Sequence, residues 1–173
     1  MTIRWAHENV EKWLTKLNPE TVLVMFGTND LTSVPLEEYR AKTREVVQRC
    51  LAHGSVVILT TIPPRSGMLE KSRKYAEAAS QLSTELAVPL CDFFGECLKR
   101  RPEDWDGAAD AWKAFEGYEV PTLLARDGVH PSNPAKYSGD YSPEGLRSSG
   151  YGLRNQVTLL SYAGVISRVL QPK

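Results

Sequence analysis

Thr21-Val22-Leu23-Val24-Met25-Phe26-Gly27-Thr28-Asn29-Asp30 is the stretch on which the fold turns. Its first six residues are apolar or β-branched and follow one another without alternation. A strand wetted on one face would alternate, whereas an unbroken run suits a strand buried on both faces, as in a parallel sheet covered by helices. Gly27 ends the run. In an open α/β sheet, ligands bind beyond the carboxyl ends of the strands, which makes the Gly27–Asp30 tail a candidate site by position.

The flanks repeat the scheme. Upstream, Ala6, Val10, Trp13 and Leu17 recur at helical spacing over residues 5–17, and Asn18-Pro19 closes that helix. Downstream, Leu36 to His53 reads as a helix with Pro35 near its start and Gly54 as its stop. Ser55 to Thr60 is a second buried strand, closed by Pro63-Pro64. Leu69 to Leu86 is a third helix, leading into a short strand at Val88 to Cys91. Strands alternating with helices imply right-handed crossovers and a parallel sheet. Gly95 to Tyr118 reads as short helices and loop, with Trp105 and Trp112 as packing residues. Residues 126–150 read as a long loop, and a last helix runs from near Leu153 towards Leu170.

A chain of 173 residues is long enough for one domain, 1–173, with a proper core. Lys plus Arg and Asp plus Glu number 21 each, so the balance gives no electrostatic case for nucleic acid or an anionic membrane. No run approaches the roughly 18 apolar residues that span a bilayer. No basic region followed by an apolar run marks a signal peptide at the start. Cys50, Cys91 and Cys97 show neither a disulfide framework nor a zinc-finger spacing and read as buried thiols or one surface thiol. Compartment and oligomeric state are not legible.

Two motifs carry chemistry. Asp127 and His130 lie three apart in a turn-prone loop, with Gly128 between them and Pro131 after. Such a turn can bring a carboxylate to the imidazole Nδ1–H, fixing the tautomer and leaving Nε2 as a base. The plainer alternative is a surface loop whose aspartate caps a turn. Asn29, at a strand end, can offer a side-chain N–H to a developing oxyanion, although asparagine is also a common turn residue. Asp30 suits the capping role better.

Taken together, the blocks resemble a known family. TVLVMFGTND, Thr21 to Asp30, resembles the strand-plus-GxND block of the SGNH (GDSL-type) hydrolases, and ARDGVHPS, Ala125 to Ser132, resembles their C-terminal DxxH block. Order and separation fit as well. The resemblance implies a flavodoxin-like, three-layer parallel sheet flanked by helices. It makes His130 the general base, Asp127 its orienting acid and Asn29 the oxyanion donor, with Gly27 shaping the turn that presents it. The implied reaction is ester hydrolysis through an acyl-enzyme, without metal or organic cofactor, on a small-molecule or carbohydrate ester.

The family's GDS serine block and its following glycine block have no counterpart here. Ser33, Ser66 and Ser132 read as ordinary loop serines, since none sits on a sharp strand-to-helix elbow. The expectation is therefore a chain without its nucleophile and without the first two strands of the sheet, truncated at its N-terminus and inactive as it stands. Residues 133–150, with Lys136, Tyr137, Tyr141 and Arg147, are candidates to line a sugar-binding cleft. The competing expectation is a degenerate, non-catalytic α/β module that binds a glycan or a protein partner.

Overall fold

The computed structural model describes residues 1–171. Three strands form one parallel sheet in the order β1 (Thr21–Val24), β2 (Val56–Thr60), β3 (Leu90–Cys91). Thr21 pairs with Val56 and Val24 with Leu59; Leu59 and Thr60 then pair with Leu90 and Cys91. The parallel α/β expectation holds, with shorter strands than the apolar runs suggested. Met25 and Phe26 leave the ladder before Gly27, and Val88 and Pro89 precede β3.

The chain divides into two compact units. The first, residues 1–62, 71–92 and 161–171 of the described chain, holds the sheet with helices α1 (Ile3–Leu17), α2 (Leu36–Ala52) and most of α3 (Leu69–Glu85). Helix α1 ends where Asn18 takes a left-handed conformation (φ 43°, ψ 56°) and returns its N–H to Leu14 O. Helix α2 carries Glu37 and Glu38 in its first turn and Arg49 in its last, each matched to the helix dipole.

Helices α2 and α3 pack on each other through Tyr39 and Tyr75, whose ring centroids lie 4.8 Å apart. Arg40 and Arg44 of α2 both reach Glu85 of α3 at the rim. Strands taken in sequential order with right-handed crossovers require both connecting helices on one face, and this contact is the result. Helix α1 joins α2 through Arg4–Glu38 and His7–Glu45 pairs, each 2.6 Å. Exposed pairs of this kind are screened by solvent and contribute little, so apolar contact carries the packing.

Among the described residues, β1 has a neighbour on one side only. Leu23 is 43 % exposed, although the unbroken apolar run pointed to a strand covered on both faces. Beside it, a groove of about 380 Å³ is lined by Trp5, Val10 and Trp13 of α1, Val22 and Phe26, and Cys50 of α2.

The second unit, residues 63–70 and 93–160, is organised around Phe93, Cys97, Trp105, Leu123, Leu124 and Leu153. Phe93 and Cys97 come from α4 (Phe93–Arg100) and Leu153 from α6 (Gly150–Val165). Trp105 belongs to this core as expected, whereas Trp112 lies at its margin, under Arg101 and against Phe115. The segment read as a long loop, 126–150, contains a short helix, α5 (Pro143–Ser148), whose cap is Ser142 accepting from Gly145 N at 3.2 Å. The last helix begins at Gly150, three residues earlier than its apolar spacing indicated, and passes at Ile166–Leu170 into a wider π-helical turn.

Gly107 has no room for a side chain, because a Cβ there would stand 1.9 Å from Leu124 O. Overpacking against backbone costs about 1–3 kcal/mol. Gly107→Ala should fall at the upper end, lowering Tm by roughly 6–12 °C for a chain of this size. A thermal melt followed by circular dichroism checks this.

Candidate active site

In the first unit, the turn after β1 is fixed by steric exclusion. Gly27 adopts φ 135°, and a Cβ on it would sit 2.7 Å from Ile62 Cγ2. Only glycine takes that conformation freely, and here it also leaves space for the isoleucine. Gly27 O then accepts from Leu31 N at 2.9 Å, starting a single 3-10 turn over Asp30–Thr32. Asn29 is exposed at the head of this turn, and its Nδ2 donates to Met1 O at 3.0 Å. Asp30 is fully buried, as a capping residue would be, but the helix it caps is α1: its Oδ1 accepts from Ile3 N at 2.8 Å.

In the second unit, the Asp127 carboxylate divides its work between its two oxygens. Oδ1 accepts from the backbone N–H groups of Val129 and His130, both at 2.9 Å, and Oδ2 lies 2.6 Å from His130 Nδ1. The backbone contacts of a capped turn and the contact to the imidazole thus fall on different oxygens. Gly128 turns the chain between them at φ 65°, with its absent Cβ position only 2.4 Å from Ser66 Cβ. The loop closes at its base where Ala125 N donates to His130 O at 2.8 Å and Leu124 bridges Pro131 in antiparallel fashion. Leu123 and Leu124, both fully buried, anchor one side of it in the core.

Burial pushes the Asp127 carboxyl up, but the His130 side chain and the two backbone N–H groups outweigh it and hold the group below the usual carboxylate range. At neutral pH the carboxylate can therefore only accept, so Nδ1 carries the proton and Nε2 is the basic nitrogen.

The three serines have structural surroundings. Ser132 is fully buried; its Oγ donates to Thr122 O and accepts from Gly150 N at 3.0 Å, joining the His130 strand to the start of α6. Ser33 Oγ donates to Asn29 O at 3.2 Å. Ser66 packs against Gly128 and donates its backbone N–H to Gly128 O at 2.9 Å.

Sequence reading missed Tyr118. Its ring centroid lies 6.1 Å from that of His130, tilted by 51°, and the side chain is 44 % exposed. The tyrosine is stitched to both flanks of the Asp127–His130 loop, because Arg126 N donates to Gly117 O and Asn133 N to Tyr118 O. No periodic signal marks it, since it lies in a segment without regular structure. Of the residues proposed to line a cleft, Tyr137 is committed locally: its hydroxyl donates to Glu144 and accepts from Lys136, both at 3.1 Å. Tyr141 remains 47 % exposed.

Residues 2–135 match the model of the GDSL-like Lipase/Acylhydrolase family. The chain belongs to that family. No curated protein is similar enough to match it. Among solved structures, an acetyl-xylooligosaccharide esterase of Geobacillus stearothermophilus is similar at 20 % identity and a TM-score of 0.64, over 95 % of this chain and 66 % of the esterase. The psychrotrophic esterase EstA of Pseudoalteromonas is similar at 17 % identity and a TM-score of 0.63, over 96 % of this chain and 73 % of that one. The GDSL-like chain thus spans about two thirds of the length of the first of these neighbours, and at such identities the likeness speaks for the shared α/β fold. Among the described residues no three His, Cys, Asp or Glu side chains cluster as metal ligands, and no helix is long and apolar enough to cross a membrane.

Two measurements follow from this geometry. A depressed carboxyl pKa contributes stability that is present above its unfolded value of about 3.9 and is lost as pH falls through the folded value. In His130→Ala the Asp127 side-chain carbon should titrate at a higher midpoint, closer to the ordinary value, as followed by NMR. Ser132→Ala removes one donor and one acceptor from a dry site and should cost about 1–3 kcal/mol in urea denaturation.

Proposed function

We propose that this chain carries the acid–base and oxyanion parts of an ester hydrolase acting on acylated carbohydrates, with the nucleophilic serine not among its own residues. The observation that carries the reading is the Asp127–His130 contact of 2.6 Å, made by an oxygen whose partner oxygen holds the same turn rigid. An imidazole held by one oxygen of a carboxylate whose other oxygen accepts from the same turn's backbone is prepared for proton transfer at Nε2.

In this reading a serine hydroxyl attacks the ester carbonyl while its proton passes to His130 Nε2. The negative charge that develops on the carbonyl oxygen accepts a hydrogen bond from Asn29 Nδ2, at the turn that Gly27 shapes. Collapse of the tetrahedral adduct breaks the bond to the alcohol, which leaves with the proton from His130. Water then enters by the same route and attacks the acyl carbon as His130 takes its proton; collapse of this second adduct breaks the acyl–serine bond, His130 returns the proton to the serine oxygen, and the acid leaves. No step requires a metal or organic cofactor.

Support for the carbohydrate leaving group comes from two directions. The Geobacillus neighbour is an acetyl-xylooligosaccharide esterase, and its catalytic mutants replace a serine, an aspartate and a histidine. Tyr118, exposed beside His130, offers a sugar ring an aromatic face.

The test is a chimera. The segment bearing the catalytic serine of that neighbour is joined ahead of Met1, and 4-nitrophenyl acetate and acetylated xylo-oligosaccharides are assayed. The chimera should turn both over, and His130→Ala should lower kcat by about 10²–10⁴-fold. Asn29→Ala should lower it by about 10²–10³-fold. The 173-residue chain alone should stay at background. A well-folded chimera without activity would favour the non-catalytic binding module, and turnover by the chain alone that His130→Ala abolishes would place a nucleophile within it.

A further inference from the structure

Helix α1 lacks a cap of its own. Thr2 stands at the N-cap position in an extended conformation without a side-chain hydrogen bond, and the first turn contains no acidic residue. Asp30, distant in sequence, supplies what is missing: its Oδ1 accepts from Ile3 N at 2.8 Å, with both residues fully buried. A carboxylate at a helix N-terminus satisfies an otherwise orphaned N–H and meets the positive end of the dipole. The same contact fixes the two residues that precede Ile3. One of them, Met1, accepts the Asn29 side-chain N–H through its carbonyl at 3.0 Å.

Asn29 and Asp30 are adjacent, and Met1 and Ile3 are one residue apart, so the two hydrogen bonds close a small ring. Its effect falls on the Asn29 amide. Nδ2 carries two hydrogens. One is taken by Met1 O; the other has no partner among the described residues, on a side chain that is exposed. Flipping the amide would set its oxygen against the Met1 carbonyl oxygen, so the bond also fixes which end is the donor.

We propose that Asp30 is the positioning residue of Asn29: by anchoring Ile3 it holds the Met1 carbonyl against one Nδ2 hydrogen and leaves the other as the oxyanion donor. This rests on the reading of Asn29 as that donor. Asp30 does not touch substrate in this scheme and acts only through the Met1–Ile3 segment.

The price of the arrangement is visible at the second carboxylate oxygen. Asp30 Oδ2 is buried and accepts no hydrogen bond among the described residues. Burial accordingly holds the Asp30 carboxyl above the usual range, opposed in part by backbone N–H groups, that of Ile3 foremost. The charged and titratable groups that sense it are the hydroxyls of Tyr39 on α2 and Tyr75 on α3, Arg4 on α1 and the α-amino group of Met1. As pH falls through that raised value, Asp30 is protonated and the anchor loses its charge.

The experiment is ¹⁵N–¹H NMR on the intact 173-residue protein, with Met1 retained as verified by mass and the Asn29 amide pair assigned by its disappearance in Asn29→Ser. The two Nδ2 protons should be widely separated in shift and should move together with a midpoint above the ordinary carboxyl value of about 3.9. In Asp30→Ala, shown to be folded by circular dichroism, the separation should collapse towards that of a free asparagine. In Asp30→Asn, which keeps an acceptor oxygen for Ile3 N, the separation should persist while the pH response disappears. An unchanged separation in folded Asp30→Ala would overturn the proposal. Should that variant not fold, a pH response that survives in Asp30→Asn overturns it and its loss supports it. The readout does not involve turnover, so an inactive chimera would defeat the hydrolase reading while leaving these shifts as they are.

Discussion

The turn after β1 depends on one absence and one burial. Gly27 has no Cβ because Ile62 occupies its place, and its φ of 135° sends the chain into the 3-10 turn that buries Asp30. With Asp30 inside, its carboxylate finds the N-terminus of α1 and ties the first helix to the end of the strand that follows it. Neither feature is economical taken alone. A buried carboxylate with one unpartnered oxygen is costly, and it is tolerated only because the helix end supplies an N–H and a favourable dipole. The outcome is that Asn29, the exposed neighbour, is presented from a backbone that has little freedom to move.

A similar economy operates at the second motif with different chemistry. Asp127 is exposed where Asp30 is buried, and its carboxyl is held low where that of Asp30 is held high. The difference lies first in burial, which is complete at Asp30, and then in the partners each acid finds. Asp127 meets two backbone N–H groups and an imidazole in three residues of chain, whereas Asp30 gains its main contact from a segment 27 residues away. A local turn can give both oxygens of its acid a partner; the remote contact at Asp30 engages one and leaves the other without a hydrogen bond among the described residues. Two aspartates in two short motifs therefore occupy opposite electrostatic regimes.

This contrast also explains what the sequence made legible. The Asp127–His130 geometry could be read because it is built from four consecutive residues whose turn chemistry is local. The strand–helix alternation was readable for the same reason, since each unit carries its own period and its own stop signals. Strand ends were overestimated: Met25 and Phe26 are as apolar as β1 but lie beyond the ladder, and Phe26 lines the groove. What could not be read depends on distant contacts. Asp30 was assigned to capping its own segment, and only the fold brings Ile3 to it. Tyr118 carries no pattern at all, and its place beside His130 is set by backbone bonds from Arg126 and Asn133.

β1 shows how a pattern reading can be right about composition and wrong about environment. An unbroken apolar run states that both faces of a strand can lose water favourably, not that something covers them. In the structure Val24 is buried and Leu23 is 43 % exposed, with a groove of about 380 Å³ beside the strand. Soluble sheets usually blunt such edges with charge, proline or a bulge, and Thr21 to Phe26 contains none of the first two. The physical chemistry of that edge is the chemistry of an interior strand. The same six residues that decide the fold thus leave Leu23 exposed on a strand that pairs on one side among the described residues, immediately before the turn that presents Asn29.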